Sequence, residues 1–147
     1  MRDVVALWYV GARTAGDIVR AACDLLVAGE GGLAVAELAA VPYRHADEEV
    51  PLVLAAALAE LGIPCHERGS READLAGLRA VASRVVAGET APDEFAHWAH
   101  TTFGHHGVDE AQPLVRLSDE YEYRTAIEAP ADDLDEQTIA EVGRLLG

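Results

Sequence analysis

The sequence predicts an all-α protein, a bundle of about six to seven helices whose C-terminal half is a four-helix bundle. Three observations carry this. Helix-start and helix-stop residues punctuate the chain from end to end, apolar residues recur at helical spacing between them, and no segment sustains the alternation of a half-buried strand. Half of the 147 residues are apolar. That supplies a sizeable core for one domain or for two subdomains, and rules out a disordered or disulfide-scaffolded chain.

Each element follows from its own signals. Val4–Val10 (VVALWYV) is rich in β-branched and aromatic residues, but a lone strand has no partner, so helix is the better reading. Thr14 with Asp17 three residues on makes a capping-box start, and Ile18, Val19, Ala22, Leu25 and Leu26 form one face before Gly29 ends the helix. A short helix covers about Leu33–Ala40 and stops at Pro42; the next runs over Asp47–Leu61, with Pro51 tolerable in or near its first turn, and closes at Gly62 and Pro64. Ser70 caps a helix to about Ala87 with Leu75, Leu78, Val81, Ala82, Val85 and Val86 inward and Gly88 at its end. Thr90 and Asp93 repeat the capping signature, Pro92 fits a first turn, and Phe95, Trp98, Ala99 and Phe103 share one side. Asp109 opens a helix with Leu114, Leu117 and Tyr121 inward, and the last helix spans about Leu134–Leu146.

The subdomain boundary is drawn through the irregular stretch Ile63–Ser70 (IPCHERGS), giving residues 1–68 and an acidic four-helix subdomain at 69–147. The segments Leu26–Glu30 (LVAGE) and Val85–Glu89 (VVAGE) echo each other, an echo that helix–glycine–helix punctuation produces without any duplication. Charge divides unevenly: residues 1–68 carry 5 arginines and 10 acids, residues 69–147 carry 6 and 16.

A net charge of −15 excludes unassisted binding to nucleic acid or to an anionic membrane, both of which need a basic surface. No apolar run approaches the roughly 20 residues of a spanning helix, and no secretory pattern follows Val10, so a cytoplasmic setting is expected. Cys23 and Cys65 then read as thiols. Cys65 beside His66 has the residue types of a Cys/His nucleophile, yet adjacent residues rarely face each other and no third group orients the histidine. Gly11–Gly16 has the frame of a phosphate loop, but Asp17-Ile18 stands where Lys-Ser/Thr is required. Helices near Ala34–Ala40 and Asp47–Leu61 are spaced like a helix-turn-helix, but the second is apolar and offers nothing to read base edges.

Two surface features remain. Asp93, His97 and His100 share a helix face opposite Phe95, Trp98 and Thr102, with His105 and His106 just beyond. Two imidazoles and a carboxylate could hold a divalent metal with an open position, the basis of an alternative reading as a small metal-dependent enzyme or accessory protein. The plainer reading is a solvated polar face with histidines favoured by the helix C-terminus, and no metal or other cofactor is assigned. The second feature is acidic: nine acids stand against Arg124 and Arg144 between Asp119 and Arg144, and Tyr123 points away from the apolar face among Asp119, Glu120 and Glu122. A charge run alone reads as a solvated face. An outward tyrosine within it has the composition of an interface anchor for a basic partner, and Asp119, Glu120, Glu122, Tyr123, Asp132 and Asp133 are the candidate partner-binding residues. The function expected is non-enzymatic protein binding.

Over residues 71–146 the order of motifs is a helix ending in VVAGE (85–89), APDEFA (91–96) opening an aromatic helix, Leu114, Leu117 and Asp119-Glu120-Tyr121, an acidic linker and a final Leu/Ile/Val helix. This order resembles the four-helix immunity proteins of the colicin D type. The resemblance implies a small acidic bundle that binds a basic nuclease toxin domain over its active site, with Asp119, Glu120, Glu122 and Tyr123 facing the toxin. Residues 1–68, with LVAGE (26–30), AELA (36–39) and LAELG (58–62), are similar to helical segments of uncharacterised actinobacterial proteins and add length that this family lacks.

Overall fold

The computed structural model describes all residues, Met1–Gly147. Eight α-helices and no strands make up the chain: α1 (Arg2–Tyr9), α2 (Ala15–Val27), α3 (Leu33–Ala39), α4 (Ala46–Glu60), α5 (Arg71–Val86), α6 (Pro92–Phe103), α7 (Gln112–Ala126) and α8 (Asp132–Leu146). Short 3₁₀ turns lie at Tyr43–His45, Gly104–His106 and Asp109–Ala111. The protein is all-α, with the short helices α1 and α3 counted separately. The backbone divides into two compact units, Met1–Ala73 and Asp74–Gly147. No helix is long and apolar enough to cross a membrane.

In the first unit, α2, α3 and α4 pack on one another and α1 packs on α2. Thr14 and Asp17 form the reciprocal capping box, the Thr14 hydroxyl accepting from the Asp17 N–H and the Asp17 carboxylate from the Thr14 N–H. The N-terminus of α3 has no cap in its own sequence; Glu60, at the end of α4, supplies one. Its carboxylate accepts from the N–H groups of Gly32 (2.6 Å), Ala34 (2.9 Å) and Val35 (3.1 Å). These bonds favour the ionised form and hold the Glu60 carboxyl below the usual carboxylate range. Helix α4 starts at Ala46, so Pro51 is its sixth residue and lies in the second turn rather than the first. Pro51 and Asp47 are both exposed, so the Asp47 carbonyl left without its helical donor meets water. Along α1, residues Val5 to Tyr9 are all buried. The coil before α5 is pinned to that helix: the His66 N–H donates to the Tyr9 hydroxyl (2.9 Å) and the Arg68 guanidinium lies 4.7 Å over the Trp8 ring.

Ser70 caps α5, its hydroxyl accepting from the Ala73 N–H at 3.2 Å. The two VAGE segments are helix stops of one kind. Gly29 (φ 77°) and Gly88 (φ 74°) each take the left-handed conformation, and Glu30 and Glu89 donate back to the carbonyls of Leu25 and Arg84. The same bond pattern ends α7, but there the left-handed residue is Glu128, with φ 53°.

In the second unit α6, α7 and α8 pack mutually, and Arg79 on α5 donates to the Leu145 carbonyl of α8. Phe95, Ala96, Ala99, Leu114 and Val115 are fully buried. Trp98 is half-buried, stacked 6.1 Å from Phe95 and edge-on to Phe103 at 5.6 Å. The cap of α6 falls one residue later than Thr90 and Asp93 predict: Ala91 is the cap position and its N–H donates to Glu94, three residues on. Asp109 opens a 3₁₀ turn, and α7 itself begins at Gln112, which places Pro113 in a first turn where its missing N–H is harmless.

Candidate functional site

The surface chemistry of the second unit is built on α7. Four-residue spacing sets Asp119 and Tyr123 one turn apart on its outer stripe, with Ile127 one further turn on. Tyr123 is 57% exposed and Ile127 52%. Tyr121, two residues from Tyr123, points inward. Its hydroxyl donates to Asp135 Oδ1 (2.7 Å) and lies 3.2 Å from Thr138 Oγ1, a polar latch onto α8. Burial, with the Asp135 carboxylate alongside, pushes the Tyr121 phenol well above its ordinary range.

The six candidate partner-binding residues divide into two groups. Three are engaged within the protein. Arg124 grips Asp133 through two bonds (Nη1–Oδ1 2.9 Å, Nη2–Oδ2 3.0 Å), donates to the Pro130 carbonyl (2.7 Å) and holds Glu120 at 3.1 Å. This fork closes the connection from α7 to α8 and holds the Asp133 carboxyl below the usual carboxylate range. Asp119 faces two histidines: His100 Nδ1 is 3.3 Å from Oδ1 and His105 Nε2 is 3.7 Å from Oδ2. The side chains of the other three, Glu122, Tyr123 and Asp132, are exposed and make no hydrogen bond or ion pair inside the protein.

Comparison with known proteins finds no family model, no curated protein and no solved structure that matches the chain. The functional reading therefore rests on the residues and their placement.

The histidines do not assemble as the spacing along α6 suggests. Asp93 and His97 line a depression of about 350 Å³ together with Ser118, Tyr121 and Glu122. His100 is instead joined by His105 and Asp119, whose ligand atoms all lie within 4.8 Å of one another. His100 also approaches Ser118 Oγ (3.4 Å), a buried hydroxyl. The turn presenting His105 is fixed from below. Gln112 Nε2 donates to the carbonyls of Gly104 (3.1 Å) and Gly107 (3.4 Å). A Cβ on Gly107 would fall 2.5 Å from that of Phe103, so only glycine lets the turn sit this close to the helix end. Sequence spacing pairs neighbours on one helix, and Asp119 comes from another. The polar amide of Gln112 was the one local hint of a braced turn.

In the first unit, Cys65 is exposed and the His66 ring packs against Tyr9 at a centroid distance of 5.9 Å. Cys23 is half-buried, its Sγ 3.6 Å from the Ala39 carbonyl.

Proposed function

We propose that this protein is a non-enzymatic binding module, and that the outer face of α7 with the start of α8 receives a basic protein partner. The observation that carries the reading is the exposed pair Tyr123 and Ile127 at i, i+4 spacing, set among acids on a chain of net charge −15. An aromatic side chain with two rotatable bonds loses little entropy on docking and buries a large area, so Tyr123 serves as the anchor. Glu122 and Asp132 have no internal partner and are available to pair with Arg or Lys across an interface. Glu120 and Asp133 are held by Arg124, so their role is to shape the face and add to its potential rather than to make new bonds. Long-range attraction of a basic surface follows from the summed charge and sets the rate of encounter. Masking of a basic nuclease domain in the cytoplasm, as in the immunity proteins this half resembles, is the most specific form of this reading.

A photo-crosslinking amino acid in place of Tyr123 tests it, used for capture from cells of the native organism. The expected outcome is a basic protein joined at position 123 and absent when Glu122 and Asp132 are both changed to arginine. Capture that is unchanged by the double charge reversal, or an acidic captured protein, would overturn the proposal.

A further inference from the structure

The end of α6, the 3₁₀ turn after it and the middle of α7 bring three metal-ligating side chains to one point on the second unit. One ring nitrogen from each of His100 and His105 and a carboxylate oxygen of Asp119 lie within 4.8 Å of one another, and the two imidazoles meet edge to face at 5.0 Å. A tetrahedral zinc-like ion with ligand bonds near 2.05 Å separates its donor atoms by about 3.3 Å. The His100–Asp119 pair already stands at that separation, 3.3 Å. His105 Nε2 stands 3.7 Å from Oδ2 of Asp119 and no donor pair is wider than 4.8 Å, so His105 would have to close by at most about 1.5 Å to complete the set, and its side chain is 56% exposed.

We propose that His100, His105 and Asp119 bind one divalent transition-metal ion of the zinc class. Two imidazoles and one carboxylate suit zinc, cobalt or nickel, whereas magnesium and calcium demand oxygen donors throughout. The residues come from separate elements, and the bracing of the His105 turn by Gln112 and Gly107 limits the entropy lost on closing around an ion. His105 and Asp119 face solvent, which leaves a fourth position to water or to a donor from another molecule. The bound ion fastens the end of α6 to α7 one turn from Tyr123. The competing arrangement is a direct contact of both imidazoles with the one carboxylate, which needs no metal.

Metal-free, untagged full-length protein titrated with zinc chloride by calorimetry separates the two, with cobalt(II) absorbance as a second readout. One equivalent of Zn²⁺ per chain is expected. His100→Ala, His105→Ala and Asp119→Asn should each weaken binding at least about tenfold, while His97→Ala and His106→Ala leave it unchanged. Zn²⁺ should raise the melting temperature of the wild type but not of His105→Ala, a substitution at an exposed position that leaves the fold intact. Absence of saturable zinc uptake would overturn the site. So would uptake that survives the three ligand substitutions, or that falls equally with His97→Ala.

Discussion

Glu128 is the one non-glycine residue in the left-handed region, at φ 53°. It occupies the place that Gly29 and Gly88 hold at the ends of α2 and α5, with the same returning bonds: Glu128 N–H to the Thr125 carbonyl at 3.2 Å and Ala129 N–H to that of Arg124 at 2.9 Å. For an L-residue this conformation costs about 1–2 kcal/mol. Glycine removes that strain but enlarges the unfolded ensemble, which returns about 0.4–1 kcal/mol. Glu128→Gly should therefore stabilise the protein by roughly 0.5–1 kcal/mol. Removing an anion from the C-terminal end of α7 adds a few tenths, about 0.3 kcal/mol, through the helix dipole. For a chain of this size the melting temperature rises by about 2–4 °C. The assay is urea denaturation followed by circular dichroism, with Glu128→Ala alongside, because alanine loses the charge but keeps the Cβ. The alanine variant should recover only the electrostatic part. Equal gains in the two variants, or no gain with glycine, would refute the strain argument.

Two further outcomes are expected. Phe95 is fully buried at the centre of the second unit, so Phe95→Ala should destabilise by about 3–5 kcal/mol in chemical denaturation, and Trp98→Ala, half-buried, by less. Glu60 is held ionised by three N–H groups at the start of α3. Because its folded pKa is lowered, its contribution is fully present above the unfolded value near 4.5 and is lost as pH falls through the folded value. Glu60→Gln should be less stable than wild type at pH 6.5, and the gap between the two urea midpoints should narrow as pH drops below about 4.5; a constant gap would show that the carboxylate bonds are not its source.

Local signals made the helices legible. Thr14 with Asp17, and Ser70, announce their caps within three residues, and glycine at positions 29, 62 and 88 marks three stops. The Thr90/Asp93 signature points one residue too early for α6, because the frame Ala91/Glu94 places Pro92 in a first turn equally well. Features that depend on distant residues were not legible. The Glu60 cap of α3 spans 25 to 28 positions, and the His100–Asp119 contact joins two helices. The acidic tract was visible as composition, but Arg124 gripping Asp133 and Glu120 divides it into acids that bind inward and acids that face out. A run of charges contains no information about which of its members a single arginine selects. Tyr121 and Tyr123 were separable because helical spacing alone turns residues two apart by 200°, and burial agrees.

The most direct test of the binding face is the dissociation rate of the complex with the basic partner captured at position 123, measured for the wild type and for Tyr123→Ala. If Tyr123 is the anchor, its truncation loses more than about 1 kcal/mol, and dissociation should accelerate at least about fivefold with folding stability unchanged. Neutralising Glu122 should slow association instead, as should added salt. A dissociation rate that ignores Tyr123→Ala, together with association indifferent to salt, would contradict docking on this face of α7.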